Sequence, residues 1–186
     1  MGRLIYSFSV SLDGFVNAPD GSLDWADVDE EVHFWFNDQA RGVGASLYGR
    51  RLYDLMAAYW PTAGSDPDAT PAMREFAAIW ARIPRFVFST TLDTVDHNSR
   101  LVRGDLEEVL RSVQRETDGD VEVGGPTLAS EFVRRGLVDE YRLVVHPVVL
   151  GGGTPFFPSL ATPLRLRLTE TRRFGNGATL LAYRRA

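Results

Sequence analysis

Apolar residues along this chain recur with two periods, and the points where the period changes mark its elements. Residues 3–10 alternate weakly and carry Ile5, Tyr6, Phe8 and Val10, which predicts a first strand ending at Ser11-Leu12-Asp13-Gly14. Residues 15–22 hold Asn17, Pro19, Asp20 and Gly21, the residue types of a loop. From Asp27 a cluster of acids precedes Val32, Phe34, Trp35 and Phe36. Acids suit the positive end of a helix dipole, so a helix is predicted over residues 29–39. Residues 43–48 form a short strand. Gly49-Arg50-Arg51 then opens a helix bearing Leu52, Leu55 and Met56, and residues 61–68 return to loop.

The second half repeats the alternation. Thr70-Pro71 starts a helix with Met73, Phe76, Ala77 and Trp80 at helical spacing, and residues 85–89 form a strand after Pro84. Asp105 caps an amphipathic helix with Leu106, Val109, Leu110 and Val113 on one face, and Glu108 stands at capping-box spacing. Residues 121–123 are a β-branched run that stops at Gly124-Gly125. Pro126 then leads a helix through Leu128, Ala129, Phe132 and Val133, with Arg134-Arg135 in its last turn and Gly136 as a left-handed cap. Residues 141–149 are β-rich but interrupted by Pro147, and residues 150–157 are a glycine-rich loop. Residues 164–174 alternate Leu with Arg and Thr, Gly175-Asn176-Gly177 is a hairpin turn, and residues 178–183 return. Strands alternating with helices predict an α/β fold. Its central sheet is mostly parallel, with helices on both faces and an antiparallel C-terminal hairpin. Residues 1–186 are expected to form one domain, with no repeat and no linker.

Composition narrows the chemistry. The chain has no cysteine, which excludes disulfides, thiolate zinc sites and a cysteine nucleophile. It has no lysine either, since all 20 basic residues are arginine, so a lysine Schiff base and a P-loop lysine are excluded. A net charge of −5 argues against nucleic acid or an anionic membrane as partner. No signal-peptide pattern and no membrane-length apolar run is present, and a cytoplasmic protein is expected. His33, His97 and His146 are scattered without metal-ligand spacing, and no GxSxG or HExxH motif supports a hydrolase.

One local design occurs three times. Strands run into Gly49-Arg50-Arg51, into Ser89-Thr90-Thr91 and into Gly124-Gly125. In an open parallel sheet, ligands bind beyond the carboxyl ends of the strands, and a helix start offers free N–H groups to phosphate. The GxGxxG fingerprint is absent.

Five segments occur in order: Ser11-Leu12-Asp13-Gly14-Phe15, Leu47-Tyr48-Gly49-Arg50-Arg51-Leu52-Tyr53, Phe88-Ser89-Thr90-Thr91-Leu92, Val123-Gly124-Gly125-Pro126-Thr127-Leu128 and Gly151-Gly152-Gly153-Thr154-Pro155-Phe156-Phe157. Together they resemble the dihydrofolate-reductase-like superfamily. The branch is similar to the reductase domain of the bifunctional riboflavin-biosynthesis deaminase-reductase. The resemblance implies a three-layer reductase fold, NADPH as cofactor, a small-molecule substrate and a homodimer. It implies that Gly49, Arg50 and Arg51 face the pyrophosphate and that Ser89 and Thr90 lie near the adenosine ribose and its 2′-phosphate. It also implies that Gly124 and Gly125, joined by a cis peptide, lie against the pyrophosphate and nicotinamide with Pro126, Thr127 and Leu128.

Each position has a plainer reading beside this one. Arginine opposes the dipole in a first helical turn, so a bound anion explains Arg50, whereas Arg51 reads more simply as a solvated side chain. Ser89 and Thr90 read equally as turn formers. The chemistry implied is hydride transfer to a carbonyl or imine carbon of a pterin- or pyrimidine-like ring, with a carboxyl group handling the proton. Glu30 stands where the resemblance puts a substrate-binding acid and Asp13 ends the first strand; the alternatives are a helix-dipole acid and a turn residue. Phe34, Tyr53 and Trp60 are expected to wall a flat heterocycle, or else to be core. A rival reading is a non-catalytic nucleotide-binding protein that keeps the reductase fold.

Overall fold

A computed structural model describes residues 2–186. In chain order its strands are β1 (Leu4–Val10), β2 (Phe15–Asn17), β3 (Val43–Gly49), β4 (Arg85–Phe88), β5 (Ser99–Val102), β6 (Asp120–Gly124), β7 (Glu140–Val145), β8 (Thr154–Pro155), β9 (Leu166–Arg173) and β10 (Thr179–Arg185). The helices are α1 (Glu30–Arg41), α2 (Arg50–Ala63), α3 (Pro71–Arg82), α4 (Leu106–Glu116) and α5 (Pro126–Arg134). The chain divides into two compact units. Glu30–Gly125 forms the first, together with Gly2 and Arg3; Leu4–Asp29 and Pro126–Ala186 form the second.

In the first unit the strand order is β5-β4-β3-β6 and every pairing is parallel. Register pairs Gly49 with Phe88, Phe88 with Val102 and Tyr48 with Gly124. The four strands therefore end level, and the turns that follow them share one edge. Ala45, Leu47, Val87, Val121 and Val123 are buried along these strands. Near-continuous burial suits strands that belong to a parallel sheet.

Local capping sets the helices. Asp105 caps α4 as predicted, accepting from the Glu107 and Glu108 N–H groups at 2.9 and 3.3 Å, and Thr70, read as the start of a helix, caps α3 by accepting from the Met73 N–H at 3.3 Å. Arg85, 1% exposed, lies over the Trp80 ring and donates to the Trp80 and Ile83 carbonyls where α3 ends. A guanidinium on the last carbonyls of a helix is favourable to its dipole, and here a single nitrogen, Nη1, donates to both.

In the second unit the order is β1-β7-β10-β9, with β1 and β7 parallel and the rest antiparallel. β2 and β8 make a separate antiparallel pair. Leu4, Tyr6, Tyr141, Val144 and Leu180 are buried strand residues, and α5 buries Ala129, Phe132 and Val133. Gly136 takes φ +66, the left-handed conformation expected of it after α5. The hairpin from β9 to β10 turns at residues 175–177 as predicted, with Gly177 at φ +88.

Four sequence expectations need correction. Residues 61–63 continue α2 rather than beginning a loop, because Pro61 falls in the last turn and forfeits one backbone bond. β2 and β8 arise inside stretches read as loops, and they pair with each other. β5 has only four residues, too few to show an alternation. No described peptide bond is cis, so the Gly124–Gly125 link is trans.

Candidate functional site

A cleft of about 370 Å3 opens where the strands of the first unit end. It is lined by Arg50, Phe88, Ser89, Thr90, Thr91, Val102, Arg103 and Gly104. Three consecutive strands build it: β3 delivers Arg50, β4 delivers the Ser89–Thr91 turn, and β5 delivers Arg103-Gly104. The strand-to-polar-turn design seen three times in the sequence thus occurs a fourth time, after the strand that was too short to read.

The turn is internally organised. Ser89 Oγ accepts from the Thr91 and Leu92 N–H groups at 3.2 and 3.0 Å. Arg103 straps the same turn from outside, donating to the Ser89 carbonyl at 3.3 Å and the Leu92 carbonyl at 2.8 Å. Arg50 donates to Thr91 Oγ1 at 2.8 Å and reaches Asp54, one helical turn on, at 3.3 Å. The Arg50–Asp54 pair is half exposed and weak by its length. Among the described residues Arg103 has no carboxylate partner. The cleft therefore carries more positive charge than its neighbours neutralise. Beneath it, α2 begins at Gly49 with no side-chain cap and no acid in its first turn. A glycine at the N-cap offers its first amides no capping side chain, a setting that favours an anion.

The structure brings Arg50, Ser89 and Thr90 together, as expected. Arg51 is exposed on α2, outside the cleft lining. Gly124 and Gly125 end β6 and are both buried. A Cβ at Gly124 would lie 2.5 Å from Leu52 Cδ2 and 2.9 Å from the Tyr48 ring, so a side chain there would have to displace both. Gly125 has φ +87, which restricts L residues, and a Cβ there would meet Leu52 Cβ at 3.4 Å. The glycine pair thus has a packing reason independent of any ligand. Pro126, Thr127 and Leu128 form the first turn of α5, in the second unit.

The expected substrate-facing residues separate. Tyr53 is buried beside Tyr48 and Val87, and its hydroxyl accepts from the Asp96 N–H at 2.8 Å, which makes it a core residue. Trp60 is half-buried, gives its indole N–H to Met56 Sδ at 3.2 Å and stands edge-on to Phe76. Phe34 is exposed on α1. Glu30 is the exposed first residue of α1. Three residues on, burial holds His33 below the usual imidazole range against the upward pull of Glu30 and Glu75.

Asp13, in the second unit, is saturated. Its carboxylate accepts from Ser11 Oγ at 2.7 Å, from the Leu150 N–H at 3.1 Å and from the Gly151 N–H at 2.7 Å. The Ser11 hydroxyl first, and the Leu150 amide next, hold its pKa below the usual carboxylate value. Asn17 continues the join by accepting from the Thr154 N–H at 2.8 Å. Asp13 clips two loops together. An acid held ionised by three donors is a poor proton source.

Arg103 was missed in the sequence because β5 was missed. The signal was Val102-Arg103-Gly104-Asp105, a basic residue and a glycine directly before a capped helix.

Among the described residues a mostly parallel sheet, five helices and an antiparallel hairpin, with a cationic cleft at the strand ends, define a dihydrofolate-reductase-like α/β protein. The solved dihydrofolate reductase of Enterococcus faecalis complexed with NADP(H) matches at a TM-score of 0.66 and 16% identity, over 99% of this chain and 96% of that one. A putative riboflavin biosynthesis protein from Shewanella matches at 0.77 and 23%, over 100% and 99%. These identities speak for the fold alone. The model of the RibD C-terminal domain matches residues 3–180, and the chain belongs to that family. The uncharacterized protein YyaP of Bacillus subtilis is 32% identical over 182 residues, 97% of this chain and 94% of that protein. No helix among the described residues is long and apolar enough to cross a membrane.

Proposed function

We propose that this protein is an NADPH-dependent reductase that passes a hydride to a small heterocyclic or carbonyl substrate, pterin- or pyrimidine-like, as one cytoplasmic domain. The observation that carries the reading is the cleft at the ends of β3, β4 and β5. There two guanidiniums, three hydroxyls and a helix start surround a space of about 370 Å3, and Arg103 has no carboxylate partner among the described residues. Family membership in the RibD C-terminal domain, and likeness to a dihydrofolate reductase complexed with NADP(H), support the same cofactor.

The residues present fit a phosphate-bearing ligand. Arg50 and Arg103 hold a phosphate by charge-assisted bonds, the stronger class of hydrogen bond. Ser89, Thr90 and Thr91 offer hydroxyls to the same group or to a ribose. Gly49 brings the α2 amides to the edge, and Gly124-Gly125 keeps the end of β6 free of side chains. Arg51, Pro126, Thr127 and Leu128 enter as contacts on the resemblance alone. When bound, the nicotinamide supplies the hydride, and the protein orients it.

Of the two candidate acids, Asp13 serves the loops and Glu30 handles the proton. Glu30 is exposed at the start of α1 and is not clipped to a neighbouring loop as Asp13 is. Phe34 and Trp60 remain as ring contacts; Tyr53 does not. The protein pairs as a homodimer in this reading, with β9, exposed along nearly its whole length, as a free sheet edge.

Titration of NADPH fluorescence tests the cofactor. The wild-type protein binds and Arg103→Ala binds less tightly; no binding by the wild-type protein overturns the proposal. Oxidation of NADPH with dihydropterins or aminopyrimidines separates a reductase from a non-catalytic binder, and Glu30→Gln should then lower turnover while leaving NADPH affinity in place.

A further inference from the structure

His146 stands just past β7, where its backbone N–H donates to the Val10 carbonyl at the end of β1 at 2.8 Å. The residue is 1% exposed. Its Nε2 lies 3.1 Å from Ser9 Oγ, while Nδ1 is buried and has no hydrogen-bond partner among the described residues. The Trp25 ring meets it edge-on with centroids 5.7 Å apart, and the Trp25 Nε1 is likewise buried without an acceptor among the described residues. Unsatisfied buried polar atoms are costly and uncommon, so two in adjoining rings ask for a missing partner.

Location and chemistry both narrow that partner. The pair lies where the parallel strands β1 and β7 end, the edge at which open α/β sheets bind ligands. Burial holds the imidazole below its usual range against the upward pull of Asp27 and Asp29, so the ring is neutral near pH 7. In the tautomer that carries its proton on Nε2 and donates it to Ser9 Oγ, Nδ1 is an acceptor. The Trp25 Nε1–H is only ever a donor. An acceptor beside a donor complements a group that presents N–H and C=O on adjacent atoms, which is the edge of a ring lactam.

We propose that Trp25 and His146 form a binding site for the lactam edge of the substrate ring. Trp25 donates to the carbonyl and His146 Nδ1 accepts from the ring N–H. Ser9 fixes the imidazole tautomer and acts as a positioning residue. Both nitrogens are closed to solvent, so the loop after β2 that carries Trp25 lifts to admit the ring. That loop is tied down by Asn176, which donates to the Asp27 carbonyl at 2.7 Å. The assignment rests on the reductase reading and adds to it the residues that select the substrate.

NMR of nitrogen-15-labelled protein tests it, with uracil and 7,8-dihydropterin as probes added to NADPH-bound protein and Trp25→Phe used to assign the indole signal. The expected result is an Nε2–H imidazole tautomer and a shift of the Trp25 indole signal with at least one probe. Trp25→Phe should weaken that probe roughly three- to tenfold, the equivalent of one neutral hydrogen bond, with NADPH affinity and melting temperature unchanged. An Nδ1–H tautomer, or an indole signal unmoved by both probes while NADPH binds, overturns this proposal alone. Failure of the wild-type protein to bind NADPH overturns the reductase reading and this site with it.

Discussion

Two sets of strand ends in this protein carry charge, and they treat it in opposite ways. After β1 and β7, in the second unit, Asp13 receives three hydrogen bonds and its charge is fully employed in holding residues 11–14 against residues 150–151. After β3, β4 and β5, in the first unit, Arg103 meets only carbonyl oxygens among the described residues, and Arg50 meets a hydroxyl and a half-exposed Asp54 at 3.3 Å. The contrast is not one of charge sign. Glu140, 4% exposed, is bonded by both Arg142 and Arg184 in the second unit, so this chain does neutralise arginines where they serve the fold. A charge left without a counter-charge at an open cleft is placed for something that arrives. A charge saturated by short-range donors is placed to hold shape.

The comparison breaks most severely if the cleft arginines do not bind an anion. Arg50→Ala with Arg103→Ala is expected to weaken NADPH by roughly a hundredfold or more, since each charge-assisted bond contributes about 1.5–3 kcal/mol. Fluorescence titration measures it, and an unchanged dissociation constant removes the cleft from the cofactor site. Salt gives a second reading of the same term. Going from about 0.15 M to about 1 M shortens the screening length from about 8 Å to about 3 Å, so NADPH affinity should fall. A change in melting temperature of similar weight would show that the arginines serve the fold instead.

The next effect separates packing from binding at the end of β6. Gly124→Ala should destabilise by about 1–3 kcal/mol through overpacking against Leu52 and Tyr48. Thermal unfolding reads this directly. Full stability with lost NADPH affinity would return the glycine to a role in ligand approach.

The smallest effect belongs to the clip. Asp13→Asn should lower the melting temperature slightly and leave NADPH affinity unchanged. The sign with pH follows from the depressed pKa: the carboxylate's contribution is fully present above its unfolded value near 3.9 and is lost as pH falls through the lower folded value. Melting curves of wild-type protein and Asp13→Asn should therefore converge on the acid side. If turnover collapses in Asp13→Asn at unchanged melting temperature, Asp13 is the proton-handling acid and the assignment of Glu30 fails.

Much of the fold was readable because its causes are local. Thr70 and Asp105 cap the helices they precede, Gly136 and Gly177 take the left-handed conformations their turns demand, and the long strands show their period. Short elements failed for the same reason. β5 is four residues and β8 two, and neither length carries a pattern. Aromatic residues misled most, since Tyr53 on an amphipathic helix gives no sign of whether its ring meets core or ligand.

By itself, then, the sequence determined element types, caps, the absence of cysteine and lysine chemistry, and two of the three turns that line the cleft. Only the tertiary structure decided which charges are spent. Asp13 finds Leu150 and Gly151, Glu140 finds Arg184, and Arg103 finds no acid among the described residues. Those outcomes depend on partners far away in sequence, which periodicity and propensity do not encode. They separate a carboxylate that fastens loops from a guanidinium that awaits a phosphate.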